Sequence, residues 1–172
     1  MGIAIIGLGP THDKAPWQEI SWELWGLPWD EGYWRYYSRL FEMHDLRLLH
    51  KRKEGYIDRL KEIEVPLYMQ EQYFPNVTQY PFELWDYYNS SIAYMMALAI
   101  HENPSVIGLY GVDLLDDRFD DERHNIEGMV YYARAKGINV LIPEESNLCK
   151  FNSKSVFNGE SVEYVERYGW LG

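Results

Sequence analysis

The chain has 172 residues, of which 47% are hydrophobic and 25% charged, and its formal net charge is −11 at pH 7. This length suits one domain, and so negative a charge argues against an extended nucleic-acid surface or binding to an anionic membrane. The longest apolar run, residues 92–100, is too short to span a bilayer. Because Cys149 is the only cysteine, we expect no disulfide and a cytoplasmic setting.

Short hydrophobic runs closed by glycine, proline or acidic residues predict six strands. They are at residues 3–6, 21–26, 41–43, 65–69, 106–110 and 140–142. Amphipathic or apolar segments between them predict helices. The helices are expected at residues 31–40, 46–63 (with a break near Gly55), 92–102 and 126–136, and a short one near 162–168 in the tail of residues 150–172. Ser90 or Ser91 can cap the third of these helices.

The alternation of strands and helices predicts the fold class. Strand–helix–strand order favours a mostly parallel sheet joined by right-handed crossovers. No internal repeat or linker interrupts residues 1–172. We therefore expect a single α/β domain with a three-layer, Rossmann-like architecture, in which a mostly parallel sheet of about six strands has helices on both faces.

The first predicted strand runs directly into a glycine turn, Gly7-Leu8-Gly9-Pro10-Thr11. In Rossmann-like folds such a turn can present backbone N–H groups to a phosphate. The third glycine of the dinucleotide fingerprint is missing, because His12 stands two positions after Pro10. We therefore expect a nucleotide-binding turn unlike that of a dehydrogenase; the alternative is a strand that merely ends in a turn.

Polar residues also follow the other predicted strands, and the carboxyl edge of an open α/β sheet is where ligands bind. Beyond the turn, the candidate nucleotide-binding residues are His44, Asp45, Ser90, Ser91 and Asp113, and the candidate substrate-binding residues are Gln70, Glu71 and Tyr110. His44 and Asp45 can hold a ribose or act as an acid/base pair. The alternative is that Asp45 caps the next helix.

An acidic stretch, residues 113–124, holds six carboxylates in twelve residues. Such oxygen density suits a hard cation such as Mg²⁺, but the stretch lacks the spacing of a calcium-binding loop. We favour a solvated loop and expect no metal site. His124 lies just before a predicted helix, whose dipole would favour a neutral imidazole that can act as a general base; the alternative is a surface residue.

Aromatic residues make up 16% of the chain and concentrate in residues 17–37 and 68–94. Exposure of so many rings would promote aggregation, so we expect most of them in the core or lining a groove. A flat nucleobase or a sugar ring suits such a groove.

Three motifs occur in order along the chain: GLGPT at residues 7–11, NSS followed by IGLYGVDL at residues 89–114, and His124 followed by NVLIPEESNL. They resemble the GNGPS turn, the TSG–helix–YLSGIDF block and the His–helix–strand–CPNSLL section of the small bacterial sialyltransferases that use CMP-sialic acid. The layout WELWG…HD…SSIAYM…GLYGVD also resembles a type of tailed-phage protein.

The sialyltransferase resemblance implies a nucleotide-sugar glycosyltransferase fold with no obligatory metal. By position, it implies that Gly7, Gly9, Pro10 and Thr11 hold the nucleotide phosphates and that Ser90 and Ser91 contact nucleotide or sugar. It places His44 near a nucleotide-contacting position and His124 at the general base. The chain departs from the family where Leu8 replaces an asparagine and Trp25-Gly26 replaces a Cys-Asn pair, so cytidine recognition is in question.

Together these features predict a transferase that uses a nucleotide or nucleotide-sugar donor, with His124 as general base and no obligatory cofactor. The alternative is a non-catalytic nucleotide- or signalling-molecule-binding protein of a phage, acting in the host cytoplasm. In both cases the expected partner is a small nucleotide ligand, and a homo-oligomer is compatible with the sequence.

Overall fold

A run of five buried residues, Gly2–Ile6, forms the central strand of the sheet. A strand with both faces buried is typical of a parallel sheet with helices on each side. The structure is a computed structural model, and it describes residues 1–51, 54–83, 88–114, 120–150, 154–157 and 160–163. In the described ranges, no helix is both long and apolar enough to cross a bilayer.

Seven strands form one parallel sheet in the order β5-β4-β3-β2-β1-β6-β7. The strands are β1 (Gly2–Ile6), β2 (Trp22–Gly26), β3 (Arg39–Glu42), β4 (Leu67–Met69), β5 (Val77–Gln79), β6 (Val106–Tyr110) and β7 (Asn139–Leu141). The chain builds outward from β1 to β5 and then returns to place β6 on the other side of β1. The strand order therefore reverses between β1 and β6, which is where ligands bind in such sheets.

Helices cover both faces of the sheet, so the three-layer, Rossmann-like prediction is confirmed. The helices are α1 (Leu46–Leu49), α2 (Tyr56–Glu62), α3 (Ser91–Glu102) and α4 (Asp120–Ala135), with short 3-10 helices at His12–Lys14 and Glu31–Tyr36. One core cluster lies between the sheet and α3 and α4. A second lies between the opposite face and α1 and α2.

Several predicted boundaries need correction. The predicted helix at 31–40 is a 3-10 helix that ends at Tyr36, because β3 begins at Arg39. The predicted helix at 46–63 is two helices, and Gly55 between them has φ +73, which confirms the expected break. Strand β5 lies in a segment where no strand was predicted.

Helix α4 begins at Asp120, six positions before the predicted start at residue 126. The acidic residues that suggested a loop instead occupy its first turn, where negative side chains favour the helix dipole. His124 is therefore inside the helix and not before it.

The tail was expected to form a short helix near 162–168. Its described residues instead form an antiparallel pair, β8 (Lys154–Phe157) and β9 (Glu160–Glu163). Asn158-Gly159 between them is a sequence signal for a hairpin that the prediction overlooked. Residues 164–168 lie outside the described part.

Candidate functional site

A small cavity of about 210 Å³ lies beyond the carboxyl ends of β2 and β3. It is lined by Leu27, Trp29, Phe41, Glu42, His44, Asn89, Ser90, Ser91, Ile92 and Glu122. These residues come from the end of β3, the loops after β2 and β3, the start of α3 with the residues just before it, and the first turn of α4. The cavity therefore gathers, at one edge of the sheet, three of the predicted site residues: His44, Ser90 and Ser91.

His44 is held by a buried carboxylate. Its Nδ1 atom is hydrogen-bonded to Oε1 of Glu42, and its backbone N–H donates to the same oxygen at 3.3 Å. Only 1% of the Glu42 side chain is exposed, whereas 35% of the His44 side chain is. The other carboxylate oxygen of Glu42 accepts a hydrogen bond from the Tyr56 hydroxyl at 2.5 Å. Glu42 is thus a buried carboxylate with two hydrogen-bond partners, as a buried carboxylate requires. Its contact with Nδ1 holds the His44 imidazole in place.

This contact assigns the roles of the two ring nitrogens. A carboxylate at Nδ1 favours the tautomer with a proton on Nδ1, which leaves Nε2 as a hydrogen-bond acceptor. A histidine oriented by a carboxylate in this way is suited to take up a proton from a substrate. The sequence suggested Asp45 as the acid/base partner of His44, but the carboxylate in contact with His44 is that of Glu42.

Asp45 instead caps α1, as the alternative interpretation predicted. Its side chain accepts a hydrogen bond from the backbone N–H of Arg47 at 2.7 Å, and it forms an ion pair with the Arg47 guanidinium at 2.6 Å. The Arg47 hydrogen bonds lower the pKa of Asp45 to about 2. These contacts give Asp45 a structural role at the start of α1.

Glu122 also lines the cavity, so the folded chain brings the first turn of α4 to the same cavity as the end of β3 and His44. Burial raises the pKa of the Glu122 carboxyl above the ordinary value, and His44 partly opposes that rise. The cavity wall therefore holds two carboxylates, those of Glu42 and Glu122, together with the imidazole.

The N-terminus of α3 forms another part of the wall. The Ser90 hydroxyl accepts a hydrogen bond from the backbone N–H of Ala93 at 3.3 Å, which confirms the expected cap. The Ser91 hydroxyl is buried and accepts a hydrogen bond from the Met43 N–H at 3.2 Å. This second bond ties α3 to the end of β3 and fixes the position of the serines relative to His44.

An aromatic pair supports the cavity. The rings of Trp29 and Tyr56 are stacked, with centroids 4.0 Å apart and planes at 12°. Tyr56 thus contacts Glu42 through its hydroxyl and the cavity wall residue Trp29 through its ring. Trp29 and Phe41 line the cavity, which confirms for these two residues the expectation that aromatic rings lie in the core or line a groove.

The glycine turn is joined closely to the loop after β6. The backbone N–H of Gly7 donates to the Tyr110 carbonyl at 2.8 Å, and that of Gly9 donates to the Gly111 carbonyl at 2.7 Å. A Cβ atom on Gly7 would lie 2.4 Å from the Gly111 oxygen, so only glycine permits this approach. These two donors therefore bind acceptors within the chain, and phosphate binding by residues 7–11 stays a prediction.

Thr11 and Asp113 complete that junction. Both are buried, with 2% of each exposed. The Thr11 backbone N–H donates to Asp113 Oδ2 at 2.9 Å, and its hydroxyl donates to Asp113 Oδ1 at 2.9 Å. The same hydroxyl oxygen accepts a hydrogen bond from the Gly111 N–H at 2.8 Å. The structure thus brings two predicted site residues together, in a contact that joins β1 to β6.

The remaining candidates lie outside the cavity wall. The Gln70 amide donates to the Met43 carbonyl at 2.7 Å, whereas Glu71 is exposed. Tyr110 packs against the core on the α1–α2 side of the sheet. His124 is exposed on α4, two residues after Glu122, and residues two apart on a helix point in different directions.

No cluster of three or more metal-binding side chains is found within the described residues. Residues 115–119 of the acidic stretch lie outside those residues. The expectation of no metal site therefore stays a prediction.

Sequence reasoning missed Glu42, Tyr56 and Glu122. Glu42 was predicted to lie inside a strand, between Phe41 and Met43, which are both buried. A carboxylate within a buried strand requires a hydrogen-bond or charge partner, so this position could have been identified as a candidate site residue. Glu122 was treated as part of a solvated loop. Tyr56 carried no local signal, because its role depends on contacts distant in sequence.

A second polar network lies near the glycine turn. His12 Nε2 is 2.7 Å from Asp30 Oδ2, and the Tyr37 hydroxyl donates to the same oxygen. The Trp17 and Tyr33 rings pack against His12 at centroid distances of 4.9 and 4.8 Å. This network anchors the segment after β1 to the segment after β2.

A larger groove, of about 950 Å³, lies between α3 and α4. Residues toward the C-terminal ends of these helices, including Ile100, His101 and Lys136, line it. None of the predicted site residues lines it. We therefore regard the smaller cavity, which holds the oriented histidine, as the candidate site.

The sequence matches no protein-family model and no curated protein. Among solved structures, the chain is similar to the sialyltransferase CstII from Campylobacter jejuni in complex with cytidine-5'-monophosphate, with a TM-score of 0.54 and 14% identity over 98% of this chain and 97% of that one. The CstII complex with CMP-3FNeuAc gives a TM-score of 0.56 and 13% identity over 87% and 83%.

A thiamine pyrophosphokinase from Bacillus subtilis is also similar, with a TM-score of 0.51 and 15% identity over 84% of this chain. The match spans only 61% of the pyrophosphokinase chain. At these identities the similarities establish the α/β fold, which these transferases share.

Proposed function

We propose that the protein is a nucleotide- or nucleotide-sugar-dependent transferase whose donor binds at the cavity beside β2 and β3. The observation that carries the proposal is the Tyr56–Glu42–His44 chain of hydrogen bonds, which ends at an imidazole lining the cavity. The fold-level similarity to a sialyltransferase and a pyrophosphokinase supports a group-transfer reaction.

In this proposal His44 is the general base. Its Nε2 takes the proton of an acceptor hydroxyl while the hydroxyl oxygen bonds to the transferred group. The bond between that group and the donor phosphate breaks, and the nucleotide leaves with the electron pair. General-base catalysis contributes about 10²–10⁴-fold to rate. Glu42 is a positioning residue that orients His44 and stabilises the imidazolium.

We place the base at His44 and not at His124, which the resemblance to sialyltransferases implied. His44 lines the cavity and contacts a buried carboxylate, whereas His124 is exposed. A base must reach the proton it removes, so geometry favours His44.

The alternative is a non-catalytic nucleotide-binding protein of a phage. The N–H groups of Gly7 and Gly9 already bind carbonyls within the chain, so in either function the turn has fewer donors for a phosphate. Such a protein would use the same cavity, but its ligand would be unchanged after binding.

The test is incubation of the full chain with a panel of nucleotides and nucleotide sugars. Thermal shift reports binding, and mass spectrometry reports transfer or hydrolysis. We expect a stabilising donor that is consumed, and His44→Gln should reduce its consumption at least 100-fold. The exposed His50 provides the matched variant His50→Gln, which should retain the wild-type rate.

Binding of a ligand without its consumption would contradict the transferase proposal and support the non-catalytic binding protein. Loss of turnover on His124→Gln, with His44→Gln still active, would overturn the assignment of the base. Absence of any thermal shift across the panel would contradict both functions.

A further inference from the structure

The charge of the cavity wall restricts what can enter it. Two carboxylates, those of Glu42 and Glu122, line it. Among the residues that the structure describes, no lysine or arginine does so. The N-termini of α3 and α4 each contribute the equivalent of about half a positive charge. Together they do not balance two carboxylates while His44 is neutral.

The size of the cavity also limits its ligand. Pockets that enclose drug-sized molecules measure about 300–1,000 Å³. At about 210 Å³, this cavity holds a single ring system and not an entire nucleotide sugar. The rest of a donor therefore lies outside it.

We infer that the cavity, with Glu122 as its specificity-determining residue, accepts an uncharged or cationic ring rich in N–H and O–H groups and excludes the phosphates and any carboxylate of the ligand. This inference rests on the proposed donor binding at the same cavity. It separates the chain from enzymes whose donor sugar carries a carboxylate.

The wall offers suitable partners for such a ring. A carboxylate accepts hydrogen bonds from ring amines and hydroxyls, and Glu122 lines the same cavity as His44. Asn89 and the serine hydroxyls can both donate and accept. Trp29 and Phe41 supply apolar surface for the faces of the ring.

Two matched pairs of compounds test the inference. The first pair is each nucleoside and its 5'-monophosphate, and the second is a nucleoside-diphosphate hexose and the corresponding hexuronate, which differ by one carboxylate. Affinities are measured by titration calorimetry at pH 8. For the wild-type chain, we expect the 5'-phosphate to raise the affinity of a nucleoside less than threefold. We also expect the nucleoside-diphosphate hexose to bind more tightly than the hexuronate.

Glu122→Gln should raise the affinity for the anionic member of a pair relative to the neutral member by about threefold or more, because one negative charge near the ligand is removed. Asp121→Asn is the matched control: it removes the same charge from the next residue of α4, which is exposed and does not line the cavity. For Asp121→Asn, the ratio of the affinity for the anionic member to that for the neutral member should equal the wild-type ratio.

The inference is overturned if the anionic members bind the wild type at least tenfold more tightly and Glu122→Gln leaves the ratios unchanged. If ligands bind with the expected selectivity but are not transformed, the transferase proposal fails and the inference stands. If no member of either pair binds, both fail together.

Discussion

His44 and Glu42 are joined through Nδ1 of the imidazole and Oε1 of a carboxylate that is 1% exposed. The two residues are separated by Met43 alone and both line the cavity, yet the Glu42 side chain is 1% exposed and that of His44 is 35% exposed. The end of β3 thus supplies a buried carboxylate and a partly exposed base from the same short segment.

Glu42→Gln should impair catalysis while leaving the binding of uncharged ligands nearly intact. The amide removes the negative charge that stabilises the imidazolium, and its NH₂ group can stabilise the wrong tautomer. We expect kcat to fall about 100-fold or more, within the range that general-base catalysis supplies, and the pH–rate profile to shift. The affinity for an uncharged nucleoside, measured by calorimetry, should change little.

The control for this variant is Glu64→Gln, at an exposed position. It should show the wild-type kcat and pH profile. An unchanged pH–rate profile in a folded Glu42→Gln protein would remove Glu42 from its positioning role.

Tyr56→Phe should destabilise the fold. The variant keeps the ring stack with Trp29 but removes the hydroxyl that donates to Glu42. A buried acceptor left without its donor costs about 1–3 kcal/mol of unfolding free energy. Denaturant unfolding measures this, with a fall in Tm of about 2–4 °C for each kcal/mol.

Tyr36→Phe is the comparison for that measurement. The Tyr36 hydroxyl forms a hydrogen bond as well, but it accepts from the Arg35 guanidinium at 2.8 Å and lies at the exposed surface. Its loss should change the unfolding free energy by less than about 0.5 kcal/mol. Equal effects of the two variants would contradict a special role for the Tyr56 hydroxyl.

Thr11→Val should weaken the junction between β1 and β6. Valine preserves the branched shape but removes the hydroxyl that bonds to Asp113 and Gly111, leaving buried polar groups unsatisfied. We expect a loss of about 1–3 kcal/mol in unfolding free energy. Thr11→Ser, which keeps the hydroxyl, should lose less, and the reverse order would show that methyl packing and not hydrogen bonding holds the junction.

Glu122→Gln should alter how stability depends on pH. Burial raises the pKa of Glu122 above its ordinary value of 4.5, so the folded chain binds this proton more tightly than the unfolded chain. Wild-type stability therefore falls as pH rises through the interval between 4.5 and the folded-state pKa. Glu122→Gln has no ionisable carboxyl at this position, so its stability does not fall with pH for this reason.

The difference in Tm between Glu122→Gln and the wild type should therefore be near zero below pH 4 and positive at pH 8. Thermal unfolding across this range measures it. Asp121→Asn, at the exposed neighbouring position, should show no such pH-dependent gain. A Glu122→Gln difference that is constant with pH would contradict the shifted pKa.

The structural elements followed from local patterns where these were strong. The apolar run before Gly7 predicted the central buried strand, and Ser90 before an apolar segment predicted a capped helix. Gly55 predicted the break between α1 and α2. Weak or competing signals failed: acidic residues at 120–122 suggested a loop, although they also suit the first turn of a helix.

The candidate site was only partly predictable. That the ligand edge lies at the carboxyl ends of the strands follows from the alternation of strands and helices. Which carboxylate contacts His44 did not follow, because Asp45, one position away, is closer along the chain than Glu42, which is two positions away. The side chain of Glu42 was selected by burial, which sequence spacing alone does not reveal.

The parallel sheet and the edge at which polar residues collect thus follow from short segments of the sequence, because burial on both faces and helix caps are encoded locally. Which residues meet at that edge depends on the tertiary packing. Thr11 reaches Asp113 across 102 positions, and α4 brings Glu122 to the cavity that His44 lines, through crossovers that no local pattern specifies. Contacts of that range depend on how the layers pack, and the chemistry of the cavity arises from them.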